Sequence, residues 1–167
     1  MDTKQKLIEE FNNFINEATL EDVDVVTSLL KSAKEKQVGK FRSYLSAIMQ
    51  VESRFLENGD YEMRIPIQPV VHNPLKMVHG GITASLIDTA MGSLVYQSLP
   101  EHMATVTTEL KVNYLKAGIG KELICIATIV HRGRSIYVCE AKVYNNEDSL
   151  IAIGTGSFFI IKQRKVY

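Results

Sequence analysis

VHGGITASLIDTAMG, residues Val78–Gly92, places two glycines after a histidine and continues as an almost uninterrupted helical pattern. The pattern predicts a helix from Gly80 to Leu99. Its apolar residues spread around most of the circumference, which is typical of a helix in a protein core. Asp88 is the one carboxylate in this stretch. A buried carboxylate without a partner is costly, so we expect Asp88 to be exposed to solvent, hydrogen-bonded or functional.

The segments on either side of this helix have the two-residue period of β-strands. Before it, two short runs flank Asn58–Gly59, which is a strong hairpin signal. After it, short turns separate four further runs and predict antiparallel pairing. These runs are Thr105–Leu115, Leu123–His131, Ser135–Tyr144 and Leu150–Ile160. We therefore predict an α+β fold in which an antiparallel sheet of about six strands wraps a long central helix.

The first of these four runs alternates, so it predicts which side chains share a face of the sheet. Strict alternation places one set on one face: Val106, Leu110, Val112 and Tyr114. The opposite face then carries Thr107, Glu109, Lys111 and Asn113. One face is thus predicted to be apolar and the other polar.

The first forty residues predict helices that come before this fold. Apolar residues recur at helical spacing from Leu7 to Ile15, and Thr19 with Asp22 resembles a capping box at the start of a second helix. Gly39 is expected to stop that helix. We predict two parts of the chain, a helical extension over residues 1–40 and the main domain over residues 41–167.

The composition argues against several classes of function. Lysine and arginine together number 19, as do aspartate and glutamate, so no overall field attracts nucleic acid. No segment has the pattern of a membrane span or a signal peptide. Cys125 and Cys139 lie in apolar runs, which favours free thiols in a cytoplasmic protein. The 4 histidines lack metal-ligand spacing, so we expect no metal and no cofactor.

The surroundings of Asp88 allow two interpretations. Ala84 and Gly92 lie one turn before it and one turn after it, on the same stripe of the helix. These small residues either permit close packing, with Asp88 accepting a hydrogen bond from a strand serine or threonine, or they leave space for a ligand above the carboxylate. The helical pattern alone fits both.

His79, Gly80 and Gly81 favour the ligand interpretation. Two glycines at a helix start leave backbone N–H groups uncovered at the positive end of the helix dipole. Such donors hold a phosphate or polarise a carbonyl oxygen. Gly81 and Asp88 lie about 10 Å apart along the helix axis, too far for one carbonyl to reach both. A two-fold dimer with antiparallel helices would bring Gly81 of one chain near Asp88 of the other.

Four segments of the chain resemble hotdog-fold acyl-CoA thioesterases of the PaaI-like and thioesterase superfamily member 2 types. The segments are RIPIQPVVHNPLKMVHGGITASLIDTAMG, TVTTELKVNYLKAG, HRGRSIYVCEAKVYN and LIAIGTGSF. The order Asn, five residues, His-Gly-Gly, six residues, Asp is specific to this kind of enzyme. The resemblance implies a helix enclosed by a sheet, homodimers that often pair into dimers of dimers, and metal-independent hydrolysis of an acyl-CoA thioester to free acid and CoA.

The resemblance also implies roles for single residues. Asn73 would place the water or the thioester, His79 would brace the loop, and the Gly81 N–H would polarise the thioester carbonyl. Asp88 of the partner chain would act as base or nucleophile, with the Thr107 hydroxyl near the attacking water. His79 as the general base stays open as an alternative.

Two positions depart from the family pattern. Lys76 stands where relatives usually have glycine, so the loop before His79 is expected to differ in shape. Thr107 keeps the hydroxyl group that a serine would supply, but on a stiffer side chain.

A turn between two strands offers side chains for the nucleotide of coenzyme A: His131, Arg132, Arg134 and Ser135. Basic side chains of this kind pair with phosphates, although a basic turn is also common as a solvated surface. The alternative function is a protein that binds acyl-CoA or another apolar ligand without turnover. Asn73 and Asp88 together favour the enzyme. A hotdog hydratase is a weaker third option, because the catalytic order expected of that family is absent.

Overall fold

The computed structural model of the protein describes residues 2–163. Within them the chain forms two compact units, one that ends at Met49 and one that begins at Gln50. The first unit is helical and the second contains the sheet. The predicted division at residue 40 into a helical extension and a thioesterase domain stays a prediction.

The first unit consists, in its described residues, of three helices: α1 (Thr3–Glu17), α2 (Leu20–Gln37) and α3 (Tyr44–Ile48). The predicted capping box of α2 is confirmed. The Thr19 N–H donates to Asp22 Oδ2 at 2.9 Å, and the Asp22 N–H donates to Thr19 Oγ1 at 3.2 Å. Shortly after α2, Gly39 takes a φ of +81°, which suits a glycine. Helix α3 was not predicted, because five residues are too few for a periodic pattern.

The described part of the second unit contains an antiparallel sheet of six strands and one long helix. The strands are β1 (Glu52–Phe55), β2 (Tyr61–Pro66), β3 (Met103–Tyr114), β4 (Glu122–Arg132), β5 (Ile136–Asn145) and β6 (Leu150–Lys162). They lie in the order β1-β2-β4-β5-β6-β3, so β1 and β3 form the two edges. Helix α4 spans Gly80–Gln97, and a 3₁₀ turn at Pro69–Val71 precedes it. The predicted α+β architecture is confirmed.

Helix α4 packs on one face of the sheet through a nearly continuous set of buried residues: Leu86, Ile87, Ala90, Met91, Leu94 and Val95. Two glycines of β6 permit this close approach. A Cβ at Gly154 would lie 2.7 Å from Ile87 Cγ2, and a Cβ at Gly156 would lie 2.9 Å from Met91 Cε. Both distances are shorter than side-chain carbon atoms tolerate, so larger residues on β6 would push the helix away from the sheet.

Strand β3 departs from the strict alternation that its sequence predicts. Thr107 lies opposite Phe158, whereas Glu109 lies opposite Ser157, so Thr108 is an extra residue in a β-bulge. Directly opposed residues share a face of the sheet. Thr107 and Glu109 therefore point to opposite faces, and so do Val106 and Leu110, which lie opposite Phe159 and Gly156. Both predicted groupings are wrong at the bulge. The reason is that a bulge depends on the pairing with β6, which the periodicity of β3 alone does not contain.

Candidate active site

Asp88 lies half-buried in the middle of α4 and is tied to the edge strand β3. Thr107 Oγ1 donates to Asp88 Oδ1 at 2.8 Å within the same chain. This bond is the one expected if Asp88 serves packing, and it also fixes the direction in which the carboxylate points. A carboxylate offers about four acceptor positions, so Asp88 keeps the capacity to accept a proton.

The two small residues beside Asp88 have different surroundings. At Gly92 a Cβ would lie 3.4 Å from Phe158 Cε1, so the Phe158 ring occupies the space that the glycine leaves. Ala84, one turn nearer the helix start, is half-buried. The Phe158 ring therefore takes up space on the Gly92 side of the carboxylate.

The start of α4 is capped by the ring of His79. The Gly81 N–H donates to His79 Nδ1 at 2.9 Å, and the N–H groups of Ile82 and Thr83 donate to the His79 carbonyl oxygen. The donor predicted to polarise a carbonyl, at Gly81, is thus engaged by His79 in this structure. The Gly80 N–H is the first-turn donor for which residues 2–163 supply no acceptor.

Two features keep the Gly80 N–H suited to an anion or a carbonyl oxygen. The first turn of α4 contains no acidic side chain, so nothing in that turn neutralises the positive end of the helix dipole. The Gly80 carbonyl accepts a hydrogen bond from the Tyr114 hydroxyl at 2.8 Å, which ties the helix start to β3. Sequence reasoning missed both Gly80 as donor and Tyr114 as its anchor. The helix-start signal was present, but it did not distinguish one glycine from the next.

Asn73 closes the loop that leads to His79. Its Oδ1 accepts from the N–H groups of Leu75 at 2.9 Å and of Met77 at 3.3 Å, and its own N–H donates to the Met77 carbonyl oxygen. In this structure Asn73 therefore acts on the backbone of the loop. Lys76 lies within the loop at a φ of +59°, a conformation that glycine adopts with less strain. The lysine takes the left-handed turn that a glycine would favour there.

The predicted catalytic residues form two groups in one chain. Asp88 and Thr107 contact each other, while Asn73, His79 and Gly81 cluster around the start of α4. Asp88 lies eight positions after Gly80 on the helix, which corresponds to about 12 Å along the axis. A single carbonyl does not reach both groups within one chain.

The predicted nucleotide-binding residues lie at the turn between β4 and β5, and all are exposed: His131, Arg132, Arg134 and Ser135. A second bulge lies between Ile129 and His131. The side chains after it therefore point to the opposite face of the sheet from the one that simple alternation would give. Arg132 lies opposite Tyr137, Tyr137 opposite Phe158, and Phe158 opposite Thr107. Arg132 therefore shares the helix-facing side of the sheet with Thr107, about 14 Å away across three strand spacings. His131 faces the other side.

The two thiols of the sheet are not poised for reaction. Cys125 and Cys139 are buried, and burial raises the pKa of each thiol to about 12, so neither is a ready nucleophile. Among the described residues, no three His, Cys, Asp or Glu side chains come together as metal ligands would. The same residues include no helix with the length and apolarity that crossing a bilayer requires.

Known proteins share this architecture and sequence. The pattern of the thioesterase superfamily matches residues 75–152. The esterase candidate VNG_1336C of Halobacterium salinarum is 34% identical over 129 residues, which cover 71% of this chain and 85% of that protein. The BH2602 protein from Bacillus halodurans, whose crystal structure was determined with CoA, is 43% identical to this chain in sequence. The two structures align with a TM-score of 0.85 over 92% of this chain and 99% of the BH2602 chain.

The PaaI protein of Escherichia coli is similar to this chain in fold. Its structure has a TM-score of 0.66 at 18% identity, with 80% of this chain and 96% of that chain covered. The predicted resemblance to PaaI-like hotdog proteins is thereby confirmed. Fold, sequence pattern and the long alignment to the Halobacterium salinarum protein agree, and the chain belongs to the thioesterase superfamily.

Proposed function

We propose that the chain hydrolyses an acyl-CoA thioester to a free acid and CoA, without a metal or another cofactor. The observation that carries the proposal is the Asp88–Thr107 pair on the face of the sheet that α4 covers, because an oriented carboxylate is what activation of water needs. The CoA bound to the BH2602 protein, which is 43% identical, supports coenzyme A as part of the substrate.

In the proposed reaction the thioester carbonyl oxygen accepts a hydrogen bond from the start of α4. The Gly80 N–H is ready for this role, and the Gly81 N–H joins it if the His79 ring turns away. Asp88 takes a proton from water as the water oxygen attacks the carbonyl carbon. The tetrahedral intermediate then expels the CoA thiolate, which recovers the proton. Thr107 holds the carboxylate in position.

The proposed site combines two chains. The helix spacing of about 12 Å puts Gly80 and Asp88 of one chain out of reach of one carbonyl. Strand β3 is an edge whose backbone groups on one side lack a strand partner among the described residues, and antiparallel pairing with β3 of a second copy would satisfy them. Such a homodimer would set the start of one α4 near Asp88 of the other. Association of two dimers is the further assembly that the resemblance implies.

We place the nucleotide of CoA at the β4–β5 turn. Arg132 is the main candidate because it lies on the helix-facing side in line with Thr107. Arg134, His131 and Ser135 complete a polar turn beside it. The proposed location of the protein is the cytoplasm, because buried reduced thiols such as Cys125 and Cys139 persist there.

A binding protein without turnover is the second candidate function. The observation in its favour is that Asp88 already has a hydrogen-bond donor and that Phe158 fills the space at Gly92, as a structural carboxylate would allow. A binder would use the Gly80 N–H equally well, but it needs no oriented carboxylate such as Asp88 on the helix-facing side of the sheet, which is why we favour the enzyme.

The test is thiol release from a panel of aliphatic and aromatic acyl-CoAs. Asp88→Asn should lower turnover by about a hundredfold or more, because loss of a general base costs this much. Asp60 provides a matched control, since it accepts a bond from Thr128 Oγ1 at 2.7 Å on the opposite face of the sheet. Asp60→Asn should leave turnover unchanged. Tight binding of acyl-CoA with no thiol release by the wild type would establish the binder, and complete inhibition by EDTA would contradict the metal-independent mechanism.

A further inference from the structure

Two apolar side chains of the edge strand β3 lie on the side of the sheet that α4 covers. Leu110 lies opposite Gly156 and Val112 lies opposite Gly154, and both glycines pack under the helix. The helix covers the two side chains only in part, since Leu110 is 36% exposed and Val112 is half-buried. We call Leu110 and Val112 the β3 strip.

The β3 strip connects the two groups of predicted catalytic residues. Beyond one end of the strip Thr107 donates a hydrogen bond to Asp88, and beyond the other end Tyr114 donates to the Gly80 carbonyl oxygen. Ala84, midway between Gly80 and Asp88 on the helix, is half-buried. Strand β3 therefore runs beside α4 from the carboxylate to the helix start, and the surface between these two points is apolar.

The spacing of strands and helices leaves a groove over the β3 strip in the proposed dimer. Helix α4 lies above β6, because Ile87 and Met91 pack on Gly154 and Gly156. If β3 pairs with β3 of a second copy, three strand spacings separate the two β6 strands, which is about 14 Å. Two packed helices are about 8–10 Å apart, so a groove roughly 5 Å wide would run between the two α4 helices. The β3 strips of both chains would form its floor.

We infer that this groove holds the acyl group of the substrate, an inference that rests on the proposed function. Antiparallel helices that set Gly80 of one chain beside Asp88 of the other place Ala84 of both chains at the two-fold axis. CoA is large and charged and has to reach solvent, so it leaves the site away from this axis. The acyl group then points toward the axis and lies over the β3 strips.

The shape and polarity of the groove define the class of acyl group. A width of roughly 5 Å suits an unbranched aliphatic chain or a flat aromatic ring and excludes a bulky branched one. A carboxylate on the acyl group would be buried against Leu110 and Val112 without a partner, which is costly. Lys111, between them, lies opposite Thr155 and points to the other face of the sheet. Apolar, narrow acyl groups are therefore the expected substrates.

A matched pair of substrates tests the polarity of the groove. Butyryl-CoA and succinyl-CoA have acyl groups of equal carbon number, and only the succinyl group ends in a carboxylate. We expect kcat/KM for butyryl-CoA to exceed that for succinyl-CoA by about a hundredfold. From butyryl-CoA to octanoyl-CoA it should rise about threefold for each added methylene group. Equal values for butyryl-CoA and succinyl-CoA would overturn the inference.

Val112→Thr tests the β3 strip itself, because it adds a hydroxyl group and keeps the shape of the side chain. It should lower kcat/KM for octanoyl-CoA about tenfold and hardly change that for acetyl-CoA, whose acyl group is too short to reach the strip. Val106→Thr is the matched control and should change neither value, because Val106 is 44% exposed on the opposite face of the same strand. Equal losses for octanoyl-CoA and acetyl-CoA in Val112→Thr would assign Val112 to the fold alone and overturn the inference.

Calorimetric titration of the Asp88→Asn variant separates the groove from the hydrolysis. Octanoyl-CoA should bind about tenfold or more tightly than acetyl-CoA, and Asp88→Asn/Val112→Thr should lose most of this difference. That result, with no thiol release by the wild type, would contradict the proposed function and still support the groove. Thiol release by the wild type, with equal affinities of Asp88→Asn for the two acyl-CoAs, would support the proposed function and overturn the groove.

Discussion

The Thr107 hydroxyl reaches the Asp88 carboxylate because Thr108 is an extra residue in strand β3. Leu110, Val112 and Tyr114 lie opposite Gly156, Gly154 and Ala152, and the two glycines pack under α4. Simple alternation from Leu110 would turn Thr107 to the other face of the sheet. The bulge reverses the direction of the Thr107 side chain and brings it under the helix. A backbone irregularity thus positions the residue that orients the carboxylate.

Thr107→Val should lower kcat about tenfold, because one hydrogen bond to a charged group contributes roughly 1.5 kcal/mol. Thr107→Ser keeps the hydroxyl and should retain most of the activity. Thr128→Val removes the comparable bond to Asp60 and serves as the control for a purely structural loss. Steady-state kinetics and urea unfolding of the three variants check this. A loss of stability in Thr107→Val with unchanged kcat would assign the Asp88 bond to packing alone.

Gly80→Pro should lower kcat about a hundredfold, because it removes the N–H that we propose polarises the carbonyl. Proline suits this site because it is the first residue of α4, and His79 before it has φ −59° and ψ 134°, which proline permits. Gly80→Ala is the matched control. It keeps the N–H, and its Cβ would meet the Tyr114 ring at an ordinary 3.5 Å. Full activity in Gly80→Pro would indicate that the Gly81 N–H polarises the carbonyl, after its hydrogen bond to the His79 ring has broken.

Much of this fold could be predicted because its signals are local. The Asn58–Gly59 turn, the Thr19 capping box and the apolar pattern of α4 each occupy a few neighbouring residues, and each is present in the structure. The face of the sheet to which Thr107 points could not be predicted, because it depends on the register between β3 and β6. Likewise, two adjacent glycines look alike in sequence, and only the position of the His79 ring separates their N–H groups.

Arg132→Ala should raise KM for acyl-CoA about tenfold, the value of one charge-assisted hydrogen bond to phosphate. Hydrolysis of a short thioester without the nucleotide should hardly change. His131→Ala is the matched control, because His131 faces the opposite side of the sheet at the same strand end. Equal effects of Arg132→Ala on both substrates would show that the β4–β5 turn acts through the fold rather than through the nucleotide.

Glu62→Gln should destabilise the fold near neutral pH and have little effect in acid. Hydrogen bonds from Arg64 and Arg54 outweigh burial and hold the pKa of Glu62 at about 2, below its ordinary 4.5. The stabilisation is therefore fully present above pH 4.5 and disappears as the pH falls toward 2. We expect a loss on the order of 2 kcal/mol at pH 7, since both arginines are partly exposed.

Urea unfolding at several pH values checks this, with the exposed Glu57→Gln as the control. A difference between wild type and Glu62→Gln that stays constant from pH 7 to pH 2 would contradict the ion-pair explanation.

The two-chain site predicts that two inactive variants restore each other. Gly80→Pro removes the carbonyl donor and Asp88→Asn removes the base, and the two positions lie about 12 Å apart on one helix. In a mixed dimer, one site would carry both lesions and the other site neither. Random mixing makes half of the dimers mixed, so activity should recover to about a quarter of the wild-type value. If both residues served a site within one chain, every site would keep one lesion and mixing would restore nothing.

Mass spectrometry must confirm the mixed dimers, and the same experiment with Gly80→Ala in place of Gly80→Pro should start from an active protein. Absence of recovery in confirmed mixed dimers would exclude a site shared between Gly80 of one chain and Asp88 of the other.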